Sequence, residues 1–130
     1  MNAAAAAIGR QLAAGETRGE PTLIEAFTRC EQLIAEANNK AADFWTHTAE
    51  IELALYRSLH AGSLTRECDA LQARYTTLAG RSGTRREWGS VRDQLEFLLF
   101  TTGKKAQPRS RVATRTALDK LFKSVSKLAE

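Results

Sequence analysis

Two histidines, two cysteines and a scatter of carboxylates are the residues of this 130-residue chain that could act on a substrate. Nucleophilic catalysis needs a hydroxyl or thiol beside a base that a third group orients. His47 has only Glu50, one turn later, to serve in such a role, and that pair reads more simply as an ion pair on a helix face. His60 falls where a helix end favours a positive side chain. Cys30 and Cys68 stand in no C-x-x-C and have no histidine at an i+3 or i+4 offset, so they match neither metal-ligand nor redox spacing. They read as small apolar core residues with free thiols, as in a reducing cytosol. Glu25, Glu31, Glu36, Glu50 and Glu52 are dispersed along a segment that needs a solvated face, so they are not a paired acid and base. Gly80-Arg81-Ser82-Gly83-Thr84 is glycine-rich but has neither a preceding strand nor the G-K-[ST] of a phosphate loop. The expectation is a non-enzymatic chain with no metal, no cofactor and no small-molecule substrate.

The other chemistry available is the binding of polyanions. Residues 1–60 carry five Lys/Arg against eight Asp/Glu, a net of −3, whereas residues 61–130 carry fourteen against seven, a net of +7. Lys104, Lys105, Arg109, Arg111 and Arg115 place five positive charges in twelve residues with no acid between them. Arg81, Arg85 and Arg86 form a second cluster. Side chains of this kind neutralise phosphates without reading sequence. These eight residues are the candidate nucleic-acid contacts, against the simpler reading that they keep a small bundle soluble. Trp88, beside Arg85 and Arg86, could stack on a base, but Val91, Leu95 and Leu98 follow it at core spacing and favour a buried anchor.

These side chains need elements to hold them. Neither glycine nor proline occurs between Pro21 and Gly62. Within that stretch Leu23, Phe27, Cys30, Ile34, Ala37, Ala41, Phe44, Thr48, Ile51 and Leu55 keep alternating spacings of four and three. A 3.5-residue repeat held that long predicts one supercoiled helix over about 22–60, with Asn38-Asn39 as its weak point. Gly62 suits a left-handed helix end and Ser63 an N-cap, so a helix over about 63–79 is expected to return antiparallel to the first. That geometry sets Cys30 and Cys68 too far apart to pair. Thr84 and Glu87 form a capping box opening a helix over about 84–102. Pro108 closes a basic loop, and Ser110 or Thr114 caps a last helix over about 111–129. The Ala-rich start reads as a short helix over about 3–14, since Arg10 follows too soon for a secretory leader.

The fold expected is therefore all-α: a single domain, 1–130, built as a five-helix bundle on a long antiparallel hairpin. No stretch of about 18 apolar residues is present to span a membrane. Phe44-Trp45 puts one aromatic in the seam and one beside it, which marks the pair as an interface with another helix or subunit. Two functions fit this profile. The first is a non-catalytic, cytoplasmic subunit of a nucleoprotein assembly that contacts RNA or DNA backbone through basic loops. In class alone, without a shared motif, it resembles small helical subunits of RNA-guided effector complexes and phage or plasmid DNA-handling proteins. The second is a protein–protein interaction module, such as a coiled-coil adaptor, a chaperone or a phage-encoded inhibitor, that binds no nucleic acid.

Overall fold

The computed structural model describes residues 21–102 and 108–130, and the side chains of residues 25–100 and 112–130. The short helix expected over 3–14, and Lys104 and Lys105, lie outside the described residues. Five helices are seen: α1 (Pro21–Ala41), α2 (Phe44–Ala61), α3 (Leu64–Ala79), α4 (Arg85–Thr102) and α5 (Pro108–Leu128). The described residues contain no strand, and the chain is an all-α bundle.

The long helix expected over 22–60 is two helices. The chain breaks at Ala42-Asp43, not at Asn38-Asn39, and α1 folds back antiparallel on α2. Arg57 pairs with Glu31 at 3.0 Å, the Phe27 and His60 rings meet edge to face at 5.8 Å, and the Asn38 amide donates to Glu50. The break has a local cause. The Asp43 side chain accepts from the Thr46 backbone N–H at 2.9 Å, and the Thr46 hydroxyl accepts from the Asp43 N–H at 2.9 Å, a reciprocal cap that starts α2 afresh. It also has a global one. With 16 residues α3 is about 24 Å long and can cover α2 but not a helix twice that length, so Phe27, Cys30 and Ile34 would overhang into water. Folding back buries all three against α2.

The later boundaries fall where the caps put them. Gly62 takes φ +72° at the end of α2. Ser63 precedes α3, but its hydroxyl donates to the Glu67 carboxylate at 3.0 Å and makes no cap bond to the backbone. Thr84 and Glu87 close their capping box through bonds of 2.9 and 3.1 Å. Pro108 begins the last helix three residues before the expected start, since its fixed φ and missing N–H suit a first turn.

α2 packs on α3, α3 on α5 and α5 on α4. The α3–α5 pair is tied by Cys68 Sγ to the Ala117 carbonyl at 3.4 Å, Asp69 to Lys120 at 2.5 Å and Gln72 to Ser124 at 2.6 Å, a rising series that makes these two helices parallel. The core runs through Leu55, Tyr56, Leu64, Tyr75, Leu95, Leu98, Leu118 and Leu121, each almost fully buried. Both cysteines are buried and unpaired with each other.

Candidate functional site

Arg81, Arg85 and Arg86 sit at the end of the bundle where α3 gives way to α4, and all three are exposed. The loop that carries Arg81 and leads to Arg85 and Arg86, in the first turn of α4, is held from within. The N–H groups of Arg81 and Ser82 both donate to the Leu78 carbonyl, at 3.1 and 2.9 Å, and the Trp88 indole N–H donates to the Ser82 carbonyl at 3.3 Å. Trp88 is 2% exposed and packs edge to face on Phe44 at 5.1 Å and on Tyr75 at 6.1 Å. It is a core anchor, and its effect on the arginines is to fix the loop that presents them.

Among the described residues, four cations are held in ion pairs. Arg57 pairs with Glu31, Arg92 with Asp93, Lys120 with Asp69 and Lys123 with Asp119. Arg81, Arg85 and Arg86 have no carboxylate within ion-pair distance among the described residues. Arg85 and Arg86 also stand in the first turn of α4, where the helix dipole disfavours positive charge by about 0.3–1 kcal/mol per residue. An anion seated there relieves both the mutual repulsion of the guanidinium groups and their conflict with the dipole.

The second cluster follows the far end of α4, about 27 Å away along an 18-residue helix. Arg115 is exposed on α5. Arg109 and Arg111 lie on the first turn of the same helix, their side chains outside the described set. The structure therefore brings Arg81, Arg85 and Arg86 together and sets Arg109, Arg111 and Arg115 at the opposite end of α4.

The aromatic pair divides. Phe44 is 5% exposed and packs inside the chain on Trp88, whereas Trp45 is 49% exposed and meets Phe44 at 5.0 Å. Of the two residues expected at an interface, only Trp45 is offered to one.

Two residues were passed over in the sequence. Arg74, exposed on α3, stands seven residues before Arg81, which follows the end of that helix, and the short sequence distance between the two was the available signal. Glu52 was read as part of a solvated face, yet burial pushes its carboxyl up to about 7. Its charge in turn helps to raise the Tyr56 and Tyr75 hydroxyls, although burial is the larger cause for both. Tyr75 is buried, and the Tyr56 hydroxyl accepts from the Gln94 amide at 3.0 Å. No cluster of metal-ligating side chains occurs among the described residues, and among them no helix is long and apolar enough to cross a membrane.

No protein-family model, curated protein or solved structure matches the chain.

Proposed function

We propose that the chain is a non-catalytic helical subunit of a nucleoprotein assembly, holding RNA or DNA backbone on its basic ends. The observation that carries this reading is the segregation of charge. Residues 61–130 carry a net charge of +7, and within them Arg81, Arg85 and Arg86, exposed and without carboxylate partners among the described residues, stand where α3 gives way to α4. Exposed, unneutralised guanidinium groups suit phosphate oxygens, and phosphate contacts do not read base identity. The two free, buried thiols suit a reducing cytoplasm.

The test is a titration of labelled RNA and DNA at low salt. Binding is expected to fall steeply as salt rises. It is expected to weaken in R81A/R85A/R86A and, separately, in K104A/K105A/R109A/R111A. Absence of binding at 50 mM salt would sink the reading.

A second reading, a protein-interaction module, is favoured by the exposure of Leu33, Trp45, Phe97, Phe100 and Val112. It predicts a dimer or hetero-complex that persists in high salt, and light scattering that shows a monomer with no salt-resistant partner would count against it.

A further inference from the structure

Three adjoining depressions lie along the α2–α3 hairpin, one of them also walled by α1, and Arg74 lines all three. The one nearest the α3–α4 loop is a cavity of about 260 Å³ walled by His47, Glu50, Arg74, Thr77 and Arg81. Glu50 is the only carboxylate among these, and it accepts a hydrogen bond from the Asn38 amide. Arg74, like Arg81, has no carboxylate within ion-pair distance among the described residues. Arg74, on α3, and Arg81, two residues beyond the end of that helix, flank the same cavity.

We infer that this furrow seats one phosphodiester of a bound strand between Arg74 and Arg81, with the Thr77 hydroxyl as a further donor. The inference rests on the nucleic-acid reading above and extends it from the exposed loop into the body of the hairpin. At about 260 Å³ the cavity has room for a phosphate group. Arginine suits a phosphate better than a generic positive charge does, because a planar fork can meet two phosphate oxygens at once. Arg85 and Arg86 lie four and five residues beyond Arg81, at the start of α4.

Arg66 supplies the control. It lies on the same helix, is exposed, and lines none of the three depressions. Binding of the full-length chain to a labelled 12-nucleotide strand, followed across salt concentrations, is to be compared for the wild type, R74A, R74K and R66A. Alanine is well tolerated at an exposed helix position, and helicity by circular dichroism confirms the fold. R74A is expected to weaken binding roughly tenfold, as for loss of a charged hydrogen bond, and to reduce the log–log salt slope by about 0.7 for a single strand. R74K is expected to keep the slope and still lose affinity. In the wild type, the guanidinium Nε–Hε NMR signals of Arg74 and Arg81 are expected to shift together as the strand is added.

If R66A matches R74A in both affinity and slope, the effect is net charge and the furrow is overturned, while the wider reading stands. Shifts of the two signals with inorganic phosphate but not with the strand overturn it in favour of a small anion. If the wild type binds no strand at 50 mM salt, the wider reading falls and takes the furrow with it.

Discussion

Gly83 sits at φ +101° in the loop between α3 and α4, and a Cβ there would lie 2.3 Å from the Trp88 indole nitrogen and 2.7 Å from the Phe44 ring. The backbone conformation and the close approach both demand glycine. G83A is therefore expected to cost about 3 kcal/mol, from backbone strain and overpacking together, and to weaken strand binding by displacing the Arg81 loop; urea denaturation and the binding titration check the two effects. Glu52 makes a separate prediction. Its carboxyl titrates near 7 when folded against an ordinary 4.5, so below pH 4.5 it is protonated in both the folded and the unfolded chain and has no effect on their balance. Between pH 4.5 and 7 the unfolded chain gives up that proton first, and stability declines as pH rises, by about 3 kcal/mol at most. E52Q is expected to remove that decline, so its advantage in urea appears at pH 8 and vanishes at pH 4. Tyr75 adds a third, since its buried hydroxyl has no hydrogen-bond partner among the described residues, and Y75F is expected to stabilise by about 1 kcal/mol. Trp88 was legible as a core residue because its partners follow at helical spacing. Glu52 was not, because its burial depends on how the helices pack.

Among the elements, the boundaries set by local chemistry were readable, as Gly62 and the Thr84–Glu87 box show. The fold-back at Ala42-Asp43 was not, because the four-and-three spacing of apolar residues runs through it unbroken, and periodicity alone does not say whether a stripe is straight or doubled over. The signals that could have located it were Asp43 with Thr46 three residues on, and the mismatch between a 39-residue arm and a 16-residue partner. Spin labels at Gln32 and Arg57 in a cysteine-free background are expected to show strong dipolar broadening, because the Glu31–Arg57 contact puts these turns side by side. A continuous helix would hold them about 38 Å apart. D43A is expected to cost about 1 kcal/mol through loss of the cap.

In the molecule as a whole, the acidic half of the chain forms α1 and α2, and two clusters of basic residues flank α4 in the basic half. The composition made the asymmetry visible, but the pairing of Arg57, Arg92, Lys120 and Lys123 with neighbouring acids depends on which helices meet, so only the fold separates neutralised cations from open ones. Because the two basic clusters are about 27 Å apart, variants in each are expected to add in binding free energy, which the combined mutant tests directly. The same apolar stripe that hid the fold-back also gives α1 a second possible host. Residues 42–43 include no glycine or proline, and the heptad phase is continuous across them, so straightening the hinge would produce one helix whose first half presents Phe27, Cys30 and Ile34 to the α2 of a second copy. Each α1 would then make the contacts it makes now, supplied by a different chain, which is the arrangement of a domain-swapped dimer. D43A removes the cap that enforces the bend, and it is expected to raise the dimer fraction in light scattering as protein concentration increases.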